Sequence, residues 1–192
     1  MRRVLLLAFL GLLAGCATVP RHTANACAIF DENDGFFNNW RSASRTAESK
    51  YGVPTPILLA TIYVESGFRS NARPPRRKLL GFIPWTRVST AYGYSQALDG
   101  TWRHYQAETG RWSARRTNFA DAVDFAGWFH RRTHDQLGIA LNDPYNLYLA
   151  YHSGQQGYIR GSYRSDPAAL NGAQRFSKMA YMYNAQLRTC PN

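Results

Sequence analysis

Acidic residues are scarce in this chain of 192 residues: 12 Asp and Glu stand against 23 Lys and Arg, a formal net charge of +11. Between Ser66 and Leu98 there is no Asp or Glu at all, which excludes a catalytic carboxylate pair from that stretch. Cysteine is also rare. The three cysteines include no C-x-x-C pair, so the usual zinc and dithiol redox spacings are missing. The longest apolar run falls well short of the about 20 residues a helix needs to cross a bilayer. Internal repeats and low-complexity tracts are absent, which excludes repeat architectures.

The balance that remains, 45% hydrophobic and 18% charged, is that of a folded globular chain. Its length suits one domain with a real core rather than two. Aromatic residues make up 14% of the chain, with 12 Tyr and 5 Trp, more than a core of this size needs. Some must sit on the surface or line a groove. The positive surface attracts polyanions through long-range steering that salt weakens. Nucleic acid, anionic lipid and bacterial cell wall all satisfy that condition.

The N-terminus narrows the choice. Arg2 and Arg3 precede a ten-residue apolar run over residues 4–13, which reads as an export signal. The following Leu13, Ala14, Gly15 and Cys16 resemble the lipobox of bacterial lipoproteins. The resemblance implies cleavage before Cys16 and lipidation of that cysteine, and Ala17 in the next position points to the periplasmic face of the outer membrane. Loss of residues 1–15 removes two Arg and lowers the net charge from +11 to +9. Export separates the chain from nucleic acid, so nucleic acid is not expected as a partner. The chain thus reads as a signal over 1–15, a small polar tether over 16–26 and a domain over 27–192, taken as a monomer. Cys27 and Cys190, near the two ends of the domain, suggest a disulfide in an exported protein. On the chain-entropy model so long a loop adds about 4–5 kcal/mol of stability.

Helical signals dominate after residue 30. A helix is predicted over residues 34–51, stopped by Gly52. Thr55 as N-cap and Pro56 at the first helical position open a second helix, apolar through Val64 and ending near Gly67. Residues 70–92, rich in proline, basic and β-branched residues, read as loop with a short ribbon. Further helices are predicted from Asp99 to Gly110, from Thr117 to Gly138, and from Asp143 to Gly154. The last runs from Asp166 to about Leu187, with Gly172 a candidate break. The expected fold class is mainly α, a single helical domain with a small irregular or β element after the second helix.

Glu65 is the informative residue. It lies late in an otherwise apolar helix, on the same face as Thr61 and Leu58. Burial without a partner raises a carboxyl pKa, which keeps a proton available near neutral pH for general acid chemistry. The plain alternative is a helix-end Glu in water or paired with Arg69. Three ordered segments bear on that choice: Glu65, Ser66, Gly67 and Phe68; then Gly93, Tyr94, Ser95 and Gln96, followed by Leu98 and Thr101; then Ala150, Tyr151, His152, Ser153 and Gly154, followed by Gly157. In this order they resemble the signature segments of the soluble lytic transglycosylase (SLT) family, which has the goose-type lysozyme-like fold.

The resemblance covers roughly residues 50–160. It implies a lysozyme-like α+β domain acting on peptidoglycan glycan strands without cofactor or metal, as a carbon–oxygen lyase. Glu65 matches the family's catalytic acid. Ser66, Gln96 and Tyr151 match residues that line or orient the site, and Ser95 and Tyr94 fall in the same substrate-binding segment. The sequence departs from the pattern at Ser95, where methionine is usual, and at His152 and Ser153, which replace Asn and Ala. The interval from Glu65 to Gly93 is longer by the basic, aromatic stretch 73–85 (RPPRRKLLGFIPW). Its 73–78 part reads either as a solvated loop or as a contact for wall phosphates or peptide carboxylates.

Ordinary glycoside hydrolases flank the scissile bond with two carboxylates. Here Asp99 and Asp143 read as helix caps, and Asp121 and Asp124 suit the negative charge preferred in early helix turns. A single acid, Glu65, fits the transglycosylase route implied by the resemblance, which leaves 1,6-anhydro ends. A hydrolytic muramidase on the same fold and a non-catalytic wall-binding lipoprotein are the competing readings. His130 and His134, four apart on a helix, lack a third ligand and read as packing or surface residues. Trp85, Tyr92, Tyr94 and Tyr158 read equally as sugar-stacking or packing side chains.

Overall fold

A computed structural model of the protein describes residues 19–35, 38–79 and 83–190. The export signal and Cys16 therefore lie outside the described residues.

The architecture is built around one helix that is apolar on nearly every side. Helix α3 (Thr55–Ser66) buries Ile57, Leu58, Leu59, Ala60, Thr61 and Ile62 in succession. A helix of that kind must be wrapped by others. It is covered by α2 (Trp40–Tyr51), α5 (Phe119–Leu137) and α7 (Pro167–Leu187). Helix α6 (Pro144–Ile159) packs between α5 and α7, and the short α1 (Ala26–Asn33) sits against α7. Phe119, Val123, Leu147, Tyr148, Ala173 and Phe176 complete the main core. A second cluster joins α4 (Asp99–Thr109) to α5 through Trp102, Tyr105, Phe125, Trp128 and Phe129. The fold is mainly helical, as the sequence predicts.

Strand content is small. A two-residue pair, β1 (Asp34–Gly35) and β2 (Asn38–Asn39), precedes α2, and a ribbon of β3 (Arg76–Leu79) and β4 (Ile83–Arg87) follows α3. The ribbon is the expected β element. It is antiparallel, with Arg76 opposite Arg87 and an irregularity between Arg76 and Lys78.

Several helix ends differ from expectation. The predicted helix over residues 34–51 begins only at Trp40, because the Asn39 side chain accepts the Ser42 N–H and caps it there. Thr55 does not cap α3; it lies inside the first turn and donates its hydroxyl to Glu48 Oε2 of α2 at 2.7 Å. Asn118, rather than Thr117, caps α5 by accepting from the Asp121 N–H. Asp99 is not the cap of α4 but lies in its first turn, paired with Arg116 at 2.7 Å. Asp143 and Asp166 cap α6 and α7 as read. Helix α6 does not stop at Gly154. That residue takes φ 70°, ψ 157°, and the helix resumes beyond it to Ile159.

Helix α7 passes through Gly172 unbroken. A Cβ there would lie 2.4 Å from the Tyr148 ring of α6, so glycine is retained for close helix approach despite its helix cost of about 1 kcal/mol. Within the stretch read as a tether, residues from Pro20 onward are tied to α7. Pro20 is buried, Thr23 O accepts from the Tyr183 hydroxyl, and Ala24 O accepts from Gln186 Nε2 at 3.0 Å.

Cys27 and Cys190 are bonded, with Cα atoms 5.4 Å apart and a sequence separation of 163. The bond ties α1 to the end of α7. Replacing both cysteines by serine is expected to lower unfolding stability by up to about 4–5 kcal/mol, with less loss if native packing holds α1 in place. Urea unfolding followed by circular dichroism measures it, and an unchanged midpoint contradicts the assignment of a stabilising role.

Candidate active site

Glu65 occupies the last turn of α3, where the helix emerges from the core. It lines an open groove of about 440 Å³ together with Gln96, Leu98, Thr101, Phe125 and Tyr151. The third sequence segment contributes His152, Ser153 and Gly154, and the side beyond α3 is closed by Pro74, Ser89 and Ala91. Three regions distant in sequence thus meet around one carboxyl group. Among the described residues, Glu65 is the only Asp or Glu that lines the groove.

The carboxyl is only partly open to solvent, and burial pushes its pKa up to about 8. Arg175, on α7, opposes that shift by favouring the charged form, but burial outweighs it. No hydrogen bond or ion pair engages the Glu65 carboxyl among the described residues. Arg69, the candidate ion-pair partner, instead donates Nε to Ser66 O at 2.8 Å. A carboxyl of this kind keeps its proton at neutral pH and can give it to a basic oxygen.

The support around Glu65 is aromatic and neutral. Tyr151 donates its hydroxyl to Ser95 O at 2.7 Å, joining the second and third sequence segments. Its ring leans on Phe129, with centroids 4.8 Å apart, and on His130, 5.3 Å away. His130 is fully buried, and burial lowers its pKa to about 3, so the ring is neutral. Thr61 donates its hydroxyl to Ile57 O, so its oxygen accepts from His130 Nε2 at 2.9 Å. No positive charge therefore stands behind the acid from this side. The ionised form of Glu65 raises the Tyr148 and Tyr151 pKa values, after the larger effect of burial, which places both hydroxyls in its field.

The second segment is a tight loop. An isolated bridge pairs Tyr92 with Ala97, and the loop is tied down by Arg116, whose Nη1 donates to Ala97 O at 2.9 Å. Gly93 has φ 77°, and a Cβ there would lie 2.1 Å from Arg116 O, so only glycine fits. Gln96 also lies in the left-handed region, at φ 49°. Its Nε2 donates to Gly93 O at 2.7 Å and Ala72 O at 3.0 Å. Both amide donors are spent on the main chain, leaving the side-chain oxygen as the group available to a ligand.

Three expected substrate contacts are not in the groove. Ser66 is buried and turns its hydroxyl back to Ile62 O at 3.0 Å, the usual recourse of serine inside a helix. Ser95 is fully buried, and only its main-chain oxygen serves the site, through Tyr151. Tyr94 packs edge-on against Trp40 and Phe119, each 5.8 Å away, as a core residue. The turn in this loop places Gln96 outward and its two predecessors inward.

The other candidates have separate tasks. Asp121 pairs with Arg111 at 2.7 Å, and Asp124 is buried beneath Lys50, Tyr51 and Tyr105. His134 bonds Ile139 O through Nδ1 at 2.8 Å, away from the partner of His130. Tyr158 stacks on Tyr163 and donates its hydroxyl to Asn146. Tyr92 carries Arg73 and Arg116 on its ring. Trp85 falls on β4, and its side chain lies outside the described residues.

Sequence reading missed Phe125, Phe129 and Tyr148. The two phenylalanines, at i and i+4 on α5, look like core in any helical pattern. Tyr148 was within reach, since it lies three residues before Tyr151 and so shares its helix face.

Fold and groove together define a helical domain that presents one unpaired, proton-retaining carboxyl in an open groove. The description "Transglycosylase SLT domain" matches residues 4–190, and the chain belongs to that family. At the level of the family it is a peptidoglycan-modifying enzyme of the lytic transglycosylase type, with the glycan strand as substrate. No curated protein and no solved structure matches the chain.

The sign of the Glu65 effect can be tested on the folded protein. A raised acid pKa means that the folded state holds the proton more tightly than the unfolded chain. The contribution of this proton to stability is full below pH 4.5 and is lost as pH rises through about 8. The wild type should therefore lose stability relative to Glu65→Gln across that window. Denaturant midpoints of the two proteins, measured from pH 4 to 9, read the difference; parallel profiles refute the raised pKa.

Proposed function

We propose that the protein cleaves the bond from N-acetylmuramic acid to N-acetylglucosamine in peptidoglycan, with Glu65 as its sole general acid and base. The carrying observation is the Glu65 carboxyl, unpaired and held near pKa 8, in a groove with no second carboxylate among the described residues. Glu65 donates its proton to the glycosidic oxygen as that bond breaks. The N-acetyl group of the substrate supports the oxocarbenium-like or oxazolinium-like centre left at C1 of the muramoyl residue. The Glu65 carboxylate then takes the proton of the muramoyl C6 hydroxyl, whose oxygen bonds to C1. The product is a 1,6-anhydro end, and no water is consumed.

The surrounding residues suit this sequence of steps. A second carboxylate would be needed to activate water or to form a glycosyl–enzyme bond. Glu65 alone alternates between acid and base, helped by a pKa close to the working pH. Tyr151, fixed by Ser95 O and the Phe129 and His130 rings, holds its hydroxyl within the field of the acid. Gln96 offers its oxygen to a sugar hydroxyl or amide N–H. The Cys16 motif supports delivery of the domain, as a lipid-anchored protein, to the periplasmic face of the outer membrane.

Glu65→Gln keeps the shape of the side chain and removes the transferable proton. It is expected to lower release of muropeptides from purified sacculi by about a hundred- to ten-thousand-fold. Mass spectrometry of the wild-type products should find anhydro ends, one water lighter than reducing ends. Reducing ends throughout would replace the proposal with hydrolysis, and undiminished release by Glu65→Gln would remove Glu65 from the reaction.

A further inference from the structure

The groove has a neighbour built from the same pieces of chain. Ser89 lines both the groove and a second concavity of about 680 Å³. Pro74, Ala91 and Leu98 face the groove, while the residues next to them, Arg73, Tyr92 and Asp99, face the second concavity with Arg87 and Arg116. The two concavities are therefore neighbours that share Ser89 and are lined by adjacent residues of the same segments.

The charge in this second concavity is unbalanced. Arg116 is occupied: it donates to Thr90 O and Ala97 O and pairs with Asp99 at 2.7 Å. Arg73 sits over the Tyr92 ring, with its guanidinium carbon 3.9 Å from the centroid. A guanidinium held on a ring in this way keeps its N–H donors for a further partner. Arg87 spends Nη1 on Pro74 O at 2.8 Å and keeps its remaining donors. Among the described residues, no carboxylate lies within ion-pair distance of Arg73 or Arg87. The stretch from Ser66 to Leu98 has no acid to supply one.

Resting on the function proposed above, we propose that this pocket binds the carboxylates of the peptide stem carried by the muramoyl residue in the groove. The occupant must be anionic, must suit bidentate guanidinium recognition, and must leave the glycan at the groove wall. A peptide attached through its amino end to the lactyl group meets all three conditions, since each added residue reaches at most about 3.3–3.6 Å further and carries free carboxyl groups outward. Arg73, before the ribbon, and Arg87, at its end, are thus the specificity residues. They select strands that still bear peptides over bare ones.

The experiment compares two substrates and two proteins. Soluble glycan strands with intact stem peptides are prepared from sacculi, and half are stripped by an N-acetylmuramoyl-L-alanine amidase. The wild type is expected to cleave peptide-bearing strands with a kcat/KM about tenfold higher than stripped strands, as two exposed charge-assisted contacts allow. In Arg73→Gln/Arg87→Gln that ratio should fall towards one, and high salt should reduce it in the wild type. A ratio of one in the wild type, or an unchanged ratio in the variant, overturns the proposal.

Calorimetric binding of the free tripeptide L-alanyl-γ-D-glutamyl-meso-diaminopimelate separates this reading from the one it rests on. The wild type should bind it more tightly than its carboxyl-amidated form, and the double variant should lose that difference. Binding with this pattern and no strand cleavage rejects the reaction and keeps the pocket; cleavage without discrimination between the two peptides rejects the pocket.

Discussion

The structure depends on an apolar helix that ends in a carboxyl group. Helix α3 has no polar face to give to water, so α2, α5 and α7 close around it, and α6 fills the space between two of them. The closure leaves only the last turn uncovered, and Glu65 stands there. The packing that satisfies Leu58, Leu59 and Ile62 is thus the same packing that desolvates the acid. Burial of the acid costs stability when the group is charged. Placement on a rigid central helix keeps that cost concentrated at one position rather than spread over a mobile loop.

The neighbours of Glu65 preserve this state by being neutral. His130 is held uncharged by full burial, and its hydrogen bond to Thr61 locks it one helical turn behind the acid. Tyr151 keeps its proton and uses it on Ser95 O. Arg175 is the cation that acts on Glu65, and its pull does not overcome desolvation. The other carboxylates are drawn elsewhere by their own partners: Asp99 by Arg116, Asp121 by Arg111, and Asp124 by Lys50 with two tyrosines. The positive charge of the chain therefore has a local consequence. Arginines outnumber acids, and Asp99 and Asp121 each hold one, whereas among the described residues no cation is in contact with the Glu65 carboxyl.

Much of this was legible in the residue order. The helical class, the glycine stops at Gly52, Gly67, Gly110 and Gly138, and the ribbon after α3 follow from local rules that need only a few neighbouring residues. The meeting of Glu65, Gln96 and Tyr151 was foreseen through the family resemblance rather than through any local rule. Helix starts were read less well. Asn118 caps where Thr117 was expected, and Asn39 starts a helix expected to begin at residue 34, because an N-cap is decided by which side chain can reach the N–H three residues on. Thr55 was lost to a more distant competitor, the Glu48 carboxylate on a neighbouring helix.

Sequence by itself determined the element types, the single acid that precedes a long acid-free interval and the two cysteines that close the domain. Periodicity, composition and turn chemistry are local, and they carry over into any packing of the same helices. Which side of a tight loop faces a ligand is not local. Tyr94 and Ser95 point into protein and Gln96 points out, because Arg116, more than twenty residues later in the chain, pins the loop by its main-chain oxygens. The raised pKa of Glu65 belongs to the same category. It needs the low-dielectric surroundings that α5, α6 and α7 supply together, and no segment of the chain provides them alone.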